Sequence, residues 1–190
     1  MRGRCCLAIW IILVLLLVQS GEAAHHFPDY PVRPAGEYGN KVVQGGVIVA
    51  VEPVEDLTQQ KTYFNSHLTS RGILAVFLVI QNTSATDSYL FDRTAVGLTE
   101  IGPDSKDMRR TAALRTSGGL VDLSLINDVT DVRDNLLKKE LRSKTLAPGS
   151  SMSGFIYVPV PKDGQRQSIH LQVPLTNSQS GEIEVVNLLF

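Results

Sequence analysis

Apolar residues in this chain come in short blocks separated by turn-forming residues. Val47-Ile48-Val49-Ala50-Val51 is β-branched, stops at Pro53, and predicts a buried strand. Gly72 to Ile80 is the most apolar segment after the N-terminal region and ends at Gln81-Asn82-Thr83-Ser84, which is turn chemistry. Nine residues are too few to cross a bilayer, so this block reads as a central strand. Residues 89–91 and 95–101 predict further strands, closed by Gly102-Pro103-Asp104. After Leu146-Ala147-Pro148-Gly149, residues 152–160 predict another. Ile169, Leu171 and Val173 alternate as in a half-exposed strand, and residues 182–190 close the chain as a last one.

Two stretches carry the helical period instead. Leu57, Phe64 and Leu68, with Asp56 as N-cap, predict a short helix. Leu125, Val129, Val132 and Leu136 recur at spacings of four, three and four, which predicts an amphipathic helix over residues 126–142. Its aspartates (128, 131, 134) fall early and Lys138, Lys139 and Arg142 late, the order that complements the helix dipole. Such a helix either docks a partner or covers an open edge or end of the sheet. Short strands with one good helix in a crossover predict a mainly β fold, an antiparallel sandwich. A parallel α/β sheet would need a helix between most strand pairs.

The N-terminal pattern differs. Arg2 and Arg4 precede the unbroken apolar run Leu7 to Val18, and Gln19 to Ala24 is polar and small. That is the layout of a secretory signal peptide, here residues 1–23, with cleavage after Ala23 leaving Gly21 at the −3 position. Twelve apolar residues reach only about 18 Å as a helix. Left uncleaved, the leader would tether the chain to a membrane. Residues 24–46, with Pro28, Pro31, Pro34, Gly36, Gly39, Gly45 and Gly46, predict a flexible linker; Tyr30 and Tyr38 could instead lay the segment across the domain surface. The folded domain is then 47–190.

Composition sharpens the compartment. Both cysteines, Cys5 and Cys6, lie in the leader, so the exported chain would be held by packing rather than disulfides. The whole chain carries a formal net charge of −1. A chain so near neutrality has no global attraction for phosphate backbones, and nucleic acid is not an expected partner. The arginines at 109, 110 and 115 are offset by Asp104 and Asp107, as in a solvated loop.

The segment from Leu146-x-Pro148-Gly149 through Gly154-Phe155-x-Tyr157 to Pro161-Lys162-Asp163-Gly164 resembles the late part of immunoglobulin-like domains of exported bacterial envelope proteins. Val76 to Ser84 is similar to their early core strand ending in N-x-S. The resemblance implies an Ig-like β-sandwich in the periplasm or outside the cell, with no catalytic residues to carry over.

Little in the chain suggests catalysis. There is no G-x-S-x-G, no phosphate-cradling glycine loop and no paired Cys/His spacing, so neither a catalytic site, nor a metal site, nor a bound cofactor is assigned. One alternative rests on His25 and His26. Cleavage after Ala23 would expose Ala24-His25-His26, whose amine, amides and imidazole suit Cu(II); cleavage after Ala24 would let His25 chelate copper with His67 or His170 completing the site. Asn82-Thr83-Ser84 is a glycosylation sequon that a strand-ending turn explains equally well. The functional expectation is a non-catalytic binding or structural module of the cell envelope, its partner an unknown protein or envelope component. A copper-binding periplasmic protein is the alternative.

Overall fold

The computed structural model describes residues 27–101, 120–123, 130–160 and 168–190. The leader, His25 and His26, the arginine-bearing loop and the Pro161–Gly164 turn lie outside these residues. The described part is mainly β. Nine strands form two antiparallel sheets, accompanied by two helices: β1 (Asn40–Gln44), β2 (Val47–Val54), α1 (Leu57–Phe64), β3 (Ile73–Asn82), β4 (Tyr89–Phe91), β5 (Gly97–Ile101), α2 (Thr130–Lys139), β6 (Lys144–Leu146), β7 (Ser151–Pro159), β8 (Ser168–Asn177) and β9 (Ile183–Leu189). Sheet A runs β1-β2-β3-β7. In sheet B, β8 pairs with β9 on one side and with β5 and then β4 on the other, and β6 extends β4.

Period-two alternation sorts the core into two clusters. Val76, Leu78 and Ile80 of β3 face sheet B and pack with Leu171, Val173 and Leu175 of β8. Ala75, Phe77 and Val79 point the other way, into a second cluster with Phe64 of α1 and with Val132 and Leu136 of α2. β3 is therefore buried on both faces, which is why its sequence is a continuous apolar run rather than an alternation. Helix α2 packs on the outer face of sheet A rather than at the expected edge or end, and it ends at Lys139 rather than 142. Leu141 N–H instead donates to Phe155 O at 2.8 Å, drawing the chain onto the β7 edge.

The segment expected to be a flexible linker is packed from Phe27 onward. Tyr30 sits with its ring centroid 4.9 Å from Tyr63, 4.8 Å from Phe77 and 5.2 Å from Phe155. Its hydroxyl donates to Glu52 Oε2 at 3.1 Å, and Arg33 pairs with the other carboxylate oxygen at 2.7 Å. Ala35 and Tyr38 are buried, and residues 40–44 form β1. Gly45 and Gly46, both at positive φ (53° and 80°), close the β1–β2 hairpin. Proline and glycine here set turns rather than slack.

Pro53 does not end β2. Strand β1 pairs only with residues 47–51 of β2, so at Pro53 that side of the strand is a free edge and the missing N–H costs nothing. Pro174 obeys the same rule. Ile169 exchanges both its hydrogen bonds with Phe190, so odd-numbered residues of β8 bond β9 and even-numbered ones face β5 and β4. Pro174 falls in the gap between those two strands.

Candidate interaction face

Among the described residues, α1, α2 and the segment from Tyr30 to Tyr38 cover much of the outer face of sheet A, whereas no element covers the outer face of sheet B. Register fixes what the bare face carries. β9 turns Ile183, Val185, Asn187 and Leu189 outward, opposite Thr176, Pro174, Gln172 and His170 of β8. Leu90 of β4 lies opposite Thr176 and beside Thr145 of β6. Among these strand positions there is no Asp, Glu, Lys or Arg, but the extended residue Asp92, two beyond Leu90, adds a carboxylate to the same face, where its Oδ1 accepts from Ser143 Oγ at 3.1 Å.

The apolar members are well exposed, Ile183 at 62% and Leu189 at 61%. Of the seven exposed large hydrophobic side chains among the described residues, four (Leu90, Ile183, Val185 and Leu189) stand on this one face. Scattered surface leucines need no explanation, but aliphatics clustered on one sheet face do. Exposed apolar area with few charged positions is the composition of an interface centre.

Other polar groups serve the fold. Arg93 and Glu140 form a mostly buried ion pair, with side chains 16% and 14% exposed. Burial pushes the Glu140 carboxyl up, and the Arg93 guanidinium opposes the rise. Tyr157, fully buried, donates to Leu136 O at 2.9 Å and so holds α2 on sheet A. Gln60 Nε2 donates to Val54 O at 3.0 Å, and its Oε1 accepts from Thr69 N at 3.2 Å, tying α1 to the following turn. Asp56 caps α1 as expected, accepting from Gln59 N at 2.8 Å.

A cleft of about 310 Å³ lies between residues 32–35 and the start of β7, floored by Val79, Gln81, Ser151 and Ser153. Its one cation, Arg33, is already engaged by Glu52 and lies 4.4 Å over the Tyr38 ring. That leaves hydroxyls and an amide, which suit water or a neutral group better than an anion.

The structure also places the histidines. His67 follows α1, between Phe64 and Leu68 of the cluster outside sheet A. His170 is on the bare face of sheet B. Two packed sheets separate their outer faces by more than about 10 Å, so these two cannot share a metal ion. Among the described residues no group of three or more His, Cys, Asp or Glu is placed to hold one.

The sequon asparagine is internal. Asn82 is 0% exposed. Its Nδ2 donates to Asp87 O at 2.7 Å and to Ala147 O at 3.1 Å, and its Oδ1 accepts from Ser84 N at 2.9 Å. A side-chain amide so engaged stitches the end of β3 to the β6–β7 turn and has no room for a sugar.

Alternation of Val186, Leu188 and Phe190 marks a strand without saying what its other face carries. With both phases of β9 apolar (Val186 and Leu188 inward, Ile183, Val185 and Leu189 outward), the outward set is the visible excess.

No family model, curated protein or solved structure matches this chain.

Proposed function

We propose that this chain is an exported, non-catalytic binding module of the cell envelope, an Ig-like β-sandwich that docks through the outer face of sheet B. The observation that carries the reading is that face: four exposed aliphatic side chains stand on one sheet surface, whose β8 and β9 positions carry no Asp, Glu, Lys or Arg. Among the described residues the helices and the N-terminal segment lie over sheet A, which supports sheet B as the surface that meets a partner. Export rests on the apolar leader and on the confinement of both cysteines to it.

The test is carried out in the native host. N-terminal sequencing of chain recovered from the envelope is expected to begin at Ala24. Hydroxyl-radical footprinting is expected to modify Ile183 and Leu189 less in intact envelope than in purified chain, with exposed Leu57 modified equally in both. A cytoplasmic chain retaining Met1, or equal modification of the sheet B residues in both samples, contradicts the reading.

A further inference from the structure

We propose that Glu184 is a proton-sensitive latch between the two sheets. Its neutral carboxyl holds the β1 end of the β1–β2 turn against β9; its ionised form lets that end part from β9.

The pleat puts the group in place. Val186 and Leu188 of β9 point inward and are buried, and Glu184 shares their phase, so its side chain leaves the strand on the core side. β1 forms one edge of sheet A and β9 one edge of sheet B, and the two edges lie against each other. Glu184 therefore meets the turn that ends β1. A Cβ added to Gly45 would overlap Glu184 Oε2, and that oxygen is buried with no hydrogen-bond partner among the described residues. The Tyr89 hydroxyl of β4 donates to Gly45 O beside it. Gly46 O accepts from Thr83 N at 2.7 Å and Ser84 N at 3.1 Å, which keeps the β2 side of the turn on the end of β3. The part able to move is Gly45 with β1, an edge strand.

Nothing at this seam balances a negative charge. The charges that bear on Glu184 are acidic: Glu182, in the turn from β8 to β9, and Asp87, in the loop before β4. Asp87 is held there by Ser84 Oγ at 2.9 Å. Tyr89 brings no positive charge, and burial and Glu184 push its own ionisation upward. Lys41, the cation of β1, stands at the other end of that strand, where its Nζ donates to Tyr38 O at 3.1 Å. Burial, Glu182 and Asp87 all raise the Glu184 carboxyl, so the closed seam favours the neutral form. The proton also gives the carboxyl an O–H to donate, which a carboxylate lacks. Closure is strongest where Glu184 carries its proton and weakens as pH rises through the raised titration point.

The experiment follows isotope-labelled exported chain by NMR from about pH 4 to about pH 8. The Glu184 carboxyl carbon is expected to titrate above the ordinary glutamate range, with the Gly45 and Gly46 amides shifting at the same midpoint. Glu182→Gln removes one like charge and is expected to lower that midpoint, whereas Glu184→Gln abolishes the glycine shifts. Hydrogen exchange reads the opening itself. Near pH 7 the β1 amides of Glu184→Gln are expected to exchange at least about threefold more slowly than those of wild type, and near pH 4 the two chains match. Residues 30–38, which open independently, are expected to exchange alike in both. An ordinary midpoint for Glu184, equal exchange of β1 near pH 7, or a difference shared equally by residues 30–38 overturns the proposal. Glycine shifts without an exchange difference overturn it too, because the turn then feels the charge without opening.

Discussion

Leu141 crosses Gly154 so closely that a Cβ on residue 154 would lie 2.8 Å from Leu141 Cα and 2.9 Å from its backbone nitrogen. The contact exists because the chain leaving α2 runs along the β7 edge, where Leu141 N–H bonds Phe155 O. Both obstructing atoms are backbone, so they cannot swing aside as a side-chain tip would. Gly154→Ala is expected to cost about 1–3 kcal/mol, read as a lower midpoint in denaturant with an unchanged slope. A change below about 0.5 kcal/mol would mean that the crossing relaxes freely.

A glycan on Asn82 is expected to be incompatible with the native fold, because its amide nitrogen already serves two carbonyl groups. Intact-mass analysis checks this directly; an added glycan at Asn82 on folded chain would contradict the placement. Asn82→Ala should destabilise by about 2 kcal/mol or more, since it strands buried carbonyls as well as removing the bonds.

Glu184 lies under the β1–β2 hairpin, with Oε2 buried and without a hydrogen-bond partner among the described residues. An ideal Cβ on Gly45 would fall 1.6 Å from that oxygen. Burial, then the charges of Glu182 and Asp87, raise its carboxyl above the ordinary range. A raised acid holds its proton in the folded chain at pH values where the unfolded chain has lost it. Its contribution to stability is therefore present below the unfolded value and is lost as pH rises through the folded one. Glu184→Gln is expected to stabilise the fold slightly at pH 7, by no more than about 1 kcal/mol, with the gain vanishing near pH 4. Denaturation midpoints at the two pH values test this; a variant less stable than wild type at pH 7 would show that the carboxylate is welcome there.

Tyr30 anchors the N-terminal strap on the aromatic group over sheet A. Tyr30→Ala is expected to lower stability by about 2 kcal/mol and to speed hydrogen exchange across residues 30–38. Unchanged exchange there would mean that Arg33 and Tyr38 hold the strap unaided.

Much of this architecture was readable from side-chain pattern. The β-branched block at Val47 and the apolar run at Ile73 announced sheet A, and the Val132/Leu136 spacing announced the helix that covers it. Strand β1 was not seen, because Asn40, Lys41 and Gln44 are exposed edge residues with no burial pattern to display. The signal that would have found it is Gly45-Gly46 between Val43 and Val47, a two-residue hairpin turn mistaken for slack chain. The docking of Tyr30 depends on residues 22 to 125 positions away, which local periodicity does not encode. The bare face was legible only in part. The outward apolar residues of β9 are visible in sequence, but the surface they join appears once β4, β6 and β8 are set beside them.

The most direct test of the account is site-specific photo-crosslinking in the native host, with a photoreactive residue at position 185 on sheet B and, separately, at position 133 on α2. The account predicts a crosslinked species from position 185 and none from position 133. Crosslinking from position 133 alone, or from neither, would contradict a docking role for the outer face of sheet B.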